Sequence, residues 1–93
     1  MSHSLSGIAK SYCIHGTTKT GTKTCLGTIA VNPNVIPLNK HLHVTWNGGS
    51  YDGTSLDTGR DCLNGSILCD LWFPTKAQCD NFGEKQVTVT WND

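Results

Sequence analysis

Two aspartates in contrasting surroundings are the residues of this chain best suited to proton chemistry. Asp70 lies inside Ile67-Leu68-Cys69-Asp70-Leu71-Trp72-Phe73, an otherwise apolar run. Partial desolvation there disfavours the charged form, so the pKa rises and the group stays a carboxylic acid near neutrality. Asp57 opens an Asp-Thr-Gly turn, where a carboxylate accepts backbone N–H groups. An ionised Asp57 near Asp70 would discourage loss of the Asp70 proton and steady positive charge developing on a substrate. Each aspartate also has a plainer reading. Asp70 would then face solvent on an edge strand or tie down a loop, and Asp57 would only shape its turn.

Other side chains offer contacts rather than catalysis. Asn32 precedes Pro33 and cannot exchange a proton, so its role is hydrogen bonding or turn formation. Thr58 belongs to the same turn as Asp57. Trp46 and Trp91 end alternating strands on their apolar faces and are expected in the core. Tyr12, Tyr51 and Trp72 are less constrained and are candidates to stack on a flat, partly apolar ligand such as a sugar ring. His15, His41 and His43 could serve as polar groove residues. No third ligand accompanies the alternate pair His41 and His43, so neither a metal site nor a cofactor is expected.

These residues must be positioned by a small domain. The chain has 93 residues, of which 37% are hydrophobic, with 10 glycines and 15% charged residues. That balance favours short strands and tight turns over a helical bundle. Seven basic and seven acidic residues cancel, which argues against a broad nucleic-acid or membrane-surface footprint. No apolar run reaches the length of a membrane span, and Met1-Ser2-His3-Ser4 does not read as a signal peptide. The chain would then be either a mature form restarted at Met1 or one made inside a cell and released.

Strands are expected over Gly7–Ile14, Leu26–Val31, His41–Trp46, Tyr51–Leu56, Ser66–Phe73 and Gln86–Trp91. Residues 15–25, rich in Thr, Gly and Lys, read as a surface loop or irregular hairpin. Pro74–Phe82 is the one expected helix, stopped by Gly83. This is one all-β domain over residues 1–93, a small barrel. Five cysteines lack metal-site spacing. In a domain with a weak core they suggest two disulfides and one free thiol, hence an oxidising compartment. Cys13–Cys25 is the preferred bridge, with a second among Cys62, Cys69 and Cys79. A cysteine left unpaired, Cys62 or Cys79, is expected to be inert.

Three stretches in order resemble a known family: GTIAVNPNVIPL (27–38), LDTG (56–59) and NGSILCDL (64–71), followed by Phe73, Phe82-Gly83 and Val87-Thr88-Val89. They resemble the three-aspartate domain, the double-psi β-barrel of membrane-bound lytic transglycosylase A and related cell-wall proteins. Two departures stand out. The family's first aspartate falls at Asn32, and the interval from Asp57 to Asp70 is longer around Arg60-Asp61-Cys62. A more distant likeness runs to the barwin, expansin and rare-lipoprotein-A barrels.

The resemblance implies a six-stranded double-psi β-barrel with one short helix. It also implies a secreted or phage-released protein acting in the cell envelope on peptidoglycan or another wall polysaccharide. Asp70 would be the single acid and base of a lytic transglycosylase that cleaves MurNAc–GlcNAc bonds, Asp57 its catalytic neighbour. Asn32, Tyr12, Thr58 and Trp72 would contact the glycan. A non-catalytic carbohydrate-binding or wall-loosening module is the alternative, and a protease inhibitor presenting the 15–25 loop is a third. Fold-level kinship does not choose among them.

Overall fold

The computed structural model describes residues 1–93 and contains six strands and two short helices. Strands β1 (Ser2–Tyr12), β2 (Thr28–Val31), β3 (His41–Trp46), β4 (Gly49–Thr58), β5 (Cys69–Trp72) and β6 (Lys85–Asn92) close into a barrel. Their order around it is β1-β5-β2-β4-β3-β6. The expected all-β, six-stranded barrel is therefore present.

Two long strands do most of the joining. The N-terminal part of β1 runs antiparallel to β6, from Ser2 opposite Asn92 to Ala9 opposite Lys85. Its C-terminal part then runs parallel to β5, from Ala9–Cys69 to Tyr12–Trp72. Strand β4 likewise pairs antiparallel with β3 and parallel with β2. The short strand β2 thus stands between β4 and β5, and all four of its residues are buried, Thr28 with the apolar Ile29, Ala30 and Val31. A nearly continuous apolar run suits a strand covered on both faces.

The core is one cluster whose aliphatic centre is Ile29, Val31, Ile36, Leu42, Val44, Leu71, Val87 and Val89. The alternation in β3 and β6 turns Leu42, Val44, Val87 and Val89 inward. A smaller cluster of Ala30, Cys62 and Ile67, with Ile8 and Tyr12 against it, lies on the other side of the sheet. At Gly53 the barrel wall admits no side chain, because a Cβ there would come within 2.1 Å of the Gly27 carbonyl oxygen. That same carbonyl accepts from the Thr54 amide at 2.8 Å, which locks the β4 backbone against the β2 approach.

Several expectations are corrected. β1 begins at Ser2, not Gly7, because its first half is held by the ladder to β6 instead of by its own apolar period. Paired β5 is only Cys69–Trp72 within the broader Ser66–Phe73 run. The expected helix appears as α2 (Lys76–Phe82), with Thr75 Oγ1 accepting from the Gln78 amide and Gly83 at φ 65° ending it. A second helix, α1 (Arg60–Leu63), is a single turn that buries Cys62. This turn occupies the stretch where the family resemblance shows its longer interval.

All five cysteines are free in the structure, so the expected two disulfides, Cys13–Cys25 among them, are not found. Cys62 and Cys69 are buried as small apolar side chains in separate clusters, which is ordinary behaviour for cysteine. Burial pushes both thiols up to about 12, as an inert thiol requires.

Candidate functional site

The parallel and antiparallel registers around β2 bring the two aspartates together. Ala30 is the register partner of Asp57 on β4 and also of Asp70 on β5. Asp57, Ala30 and Asp70 therefore form one row across three adjacent strands. Two inter-strand steps place the aspartate α-carbons about 10 Å apart. Ala30, only 2% exposed and packed against Cys62 and Ile67, forms part of the cleft lining between them. A register shift in β2 between Ile29 and Ala30 aligns Ala30 with Asp57. Local twist and re-aimed side chains are what such irregularities produce beside functional sites.

Tyr12, from the end of β1, reaches across this row, and its hydroxyl donates to Asp57 Oδ2 at 3.2 Å. Burial, and then the Asp57 charge, drive the Tyr12 pKa upward, so the phenol remains a donor throughout the ordinary pH range. Asp57 Oδ1 accepts from the backbone amides of Lys19 at 2.9 Å and Thr58 at 3.0 Å. Three donors thus converge on one carboxyl group. The turn role and the site role read from the sequence both describe Asp57.

Asp70 is treated differently. Its Oδ1 is buried and has no hydrogen-bond partner. Burial is the main cause that raises its pKa, to about 6; Asp61 and Asp57 add to the rise and Lys10 opposes it. An unpartnered buried carboxyl oxygen is costly as an anion and is a common mark of a functional acid.

The two aspartates and Tyr12 share a cleft of about 250 Å³ with Thr58, Gly59 and Ala30. Its outer wall comes from the loop after β1, through Ile14, Gly16, Thr17 and Thr24. The loop folds back onto the barrel. The amide and hydroxyl of Thr20 both bond the Leu56 carbonyl, at 3.1 and 2.9 Å. Thr18, only 5% exposed, shares hydrogen bonds with the Thr20 and Thr22 hydroxyls. His15 Nε2 donates to the Pro74 carbonyl at 3.0 Å.

Of the six candidate residues, four meet in this cleft: Tyr12, Asp57, Thr58 and Asp70. Asn32 does not. It lines a neighbouring hollow with Val35, Cys62 and Ser66, and its Oδ1 accepts from the Asn34 amide at 2.9 Å, forming a turn. Trp72 is 3% exposed, and its indole N–H donates to the Ile14 carbonyl at 2.8 Å. It supports the loop from beneath and offers no ring face. Tyr51 is buried too, its hydroxyl donating to the Trp72 carbonyl and accepting from the Gly27 amide. His41 and His43 belong to a third hollow with Thr90 and Asn92, and His43 pairs with Asp52.

The loop residues Thr17 and Thr24 carry no sequence signal as cleft residues, because the 15–25 segment has no apolar period. Its alternation of Thr with Gly and Lys was the available signal of a backbone-anchored loop. No cluster of three or more His, Cys, Asp or Glu groups is arranged to hold a metal ion.

Comparison with known proteins gives two partial matches, both from Bacillus subtilis strain 168. The chain is 38% identical over 63 residues to the SPbeta prophage-derived uncharacterized protein YorM, covering 68% of this chain and 26% of that protein. It is 39% identical over 61 residues to the cell wall-binding protein YocH, covering 66% of this chain and 20% of that one. The chain thus spans about a quarter and a fifth of these relatives. No family model matches, and no solved structure matches.

Proposed function

We propose that this barrel engages peptidoglycan glycan strands through the Tyr12–Asp57–Asp70 cleft and acts there as a lytic transglycosylase of the three-aspartate, double-psi type. The observation that carries the reading is Asp70, a carboxyl group with a buried, unpartnered oxygen and a pKa raised to about 6, beside an aspartate held by three donors. Similarity to a relative named as cell wall-binding supports the polymer, and with it a setting at the cell envelope or outside the cell.

In this reading Asp70 gives its proton to the glycosidic oxygen as the C1–O bond breaks. Asp57 steadies the positive charge that develops at C1. The C6 hydroxyl of the same muramoyl unit then attacks C1, and the Asp70 carboxylate takes the hydroxyl proton. The products are a 1,6-anhydro end and a free GlcNAc end, and Asp70 is restored. Tyr12 orients Asp57, while Thr58 and the loop threonines offer hydroxyls to the sugar.

Non-catalytic wall binding is the second reading, favoured by the position of Asn32 in a separate hollow, where the family's first carboxylate is both replaced and set apart. The protease-inhibitor alternative loses its support, since the 15–25 loop is tied down to β4 and does not stand clear. Incubating the protein with purified peptidoglycan, then analysing released and pelleted fractions by mass spectrometry, separates the readings. Anhydromuropeptides mark the enzyme. Retention in the pellet without them marks the binder, and the absence of both removes wall recognition from the function.

A further inference from the structure

On another part of the barrel, where the β3–β4 hairpin meets α2, lies a hollow of about 340 Å³ that shares no residue with the aspartate cleft. Trp46, Phe73 and Phe82 line it with Gln78, Asn81 and Lys85. Along β4 the hairpin end at Gly49 is eight residues from Asp57, up to about 26 Å of extended strand.

The aromatic floor is built in advance. Trp46 meets Phe82 edge-on, with ring centroids 5.1 Å apart and planes at 83°. Phe82 in turn packs on Phe73 at 5.6 Å. The Trp46 indole lies so close over Gly49 that a Cβ at that position would come within 2.9 Å of the ring. Glycine at position 49 lets the indole lie across the hairpin, and ordering that is already present in the free protein is not charged against binding.

Around this floor the polar groups are unspent. The Trp72 indole N–H is bonded within the protein, whereas that of Trp46 has no protein partner. Gln78 uses only its Oε1, accepting from Thr75 Oγ1 at 2.9 Å, so its amide N–H₂ is free for a ligand. The Asn81 side chain makes no hydrogen bond within the chain. Lys85 forms no salt bridge, and its Nζ stands 5.5 Å from the Phe82 ring centre. An apolar face, two amides, an indole donor and one unpaired cation match a pyranose ring with hydroxyl or acetamido groups and a carboxylate.

We infer that this hollow is a second glycan subsite, taking an N-acetylated hexopyranose of the wall polymer whose carboxylate carries no stem peptide, with Trp46 under the ring and Lys85 on the acid. The inference rests on the proposed wall-glycan function and extends it to a site remote from Asp70.

The test is titration of ¹⁵N-labelled protein with a soluble GlcNAc–MurNAc tetrasaccharide, with chitotetraose as the probe lacking carboxylates. The Trp46 indole and the Gln78 and Asn81 side-chain amides are expected to shift, and Asp70→Asn is expected to leave those shifts intact. Lys85→Gln should weaken the muramoyl probe about three- to fivefold and leave chitotetraose unaffected. Trp46→Ala should weaken both about tenfold. Asn81→Ala, which alters no packed ring, should weaken both as well if the Trp46 variant fails to fold. Shifts confined to the Tyr12–Asp57–Asp70 cleft would overturn this subsite and leave the cleft reading standing. Shifts confined to the hollow would do the reverse. Equal affinity for the two probes would remove the assigned carboxylate, and no shift anywhere would defeat both sites.

Discussion

The hydroxyl of Tyr12 donates to Asp57 across two intervening strands, since β5 and β2 lie between β1 and β4 in the barrel. Beneath this link sits the row from Asp57 through Ala30 to Asp70. The bond joins two strands that share no ladder and sets the orientation of one aspartate above the other. Tyr12→Phe keeps the ring and removes only the donor. It is expected to lower stability by about 1–2 kcal/mol, measured by urea unfolding, because Asp57 loses one of its three donors. An unchanged midpoint and slope would show that the link carries no stability.

Asp70 should make stability pH-dependent. Its folded pKa, about 6, lies above its ordinary value of 3.8, so the folded state holds the proton more tightly. Below about pH 4 both states are protonated and nothing is lost. Between about pH 4 and 6 only the unfolded state ionises freely, and stability falls as pH rises. Above pH 6 the full cost remains, on the order of 2–3 kcal/mol. Asp70→Asn is therefore expected to flatten this part of the profile and to raise the neutral-pH melting temperature. A variant that keeps the slope between pH 4 and 6 would assign it to another group.

The same substitution bears on catalysis in the opposite direction. Asp70→Asn should reduce release of anhydromuropeptides by roughly 10²–10⁴-fold, since an amide cannot donate the proton. Asp57→Asn should cost less, because its charge acts on the neighbour and the developing cation without carrying the proton. Wild-type rates from Asp70→Asn would remove the acid assignment. Asn32→Asp tests the neighbouring hollow. Since Asn32 lines a separate space, restoring a carboxylate there is expected to leave the pH optimum of cleavage where it is.

Thiol reactivity should follow burial. In reduced native protein Cys25, which is exposed, should alkylate first. Cys62 and Cys69, buried with thiols pushed up to about 12, should react only as the barrel opens. Peptide mapping after a timed iodoacetamide pulse reads this order. Early labelling of Cys69 would contradict its place in the core.

Close backbone approach makes a sharper test of the fold. Gly53→Ala would drive a Cβ into the Gly27 carbonyl, 2.1 Å away, and no flexible side chain can yield there. A loss above about 4 kcal/mol, or failure to fold, is expected. Gly16→Ala, where nothing lies within 4 Å, serves as the control and should change stability by less than about 0.5 kcal/mol. Thermal unfolding of both variants checks the contrast.

Much of the barrel was legible in the chain itself. Alternation in His41–Trp46 and Gln86–Trp91 marks strands with one buried face, because side chains on a strand repeat every two residues. Pro74 and Gly83 bracket the longer helix, Gly83 ending it through its positive φ, while the start at Lys76 is fixed by the side-chain oxygen of Thr75. The apolar neighbours of Asp70 already implied a raised pKa, since desolvation depends on what surrounds a group along its own strand as well as across it. Long-range registry had no such local signal. Nothing near Ala30 announces that it pairs with both Asp57 and Asp70, or that Tyr12 crosses the row to reach Asp57. The burial of Trp72 and Tyr51, the fold-back of the 15–25 loop and the seat of Asn32 in a separate hollow were likewise decided by barrel closure. Local sequence sets which way a side chain points from its strand. Only the tertiary arrangement sets which strands stand beside it, and hence which side chains share a cleft.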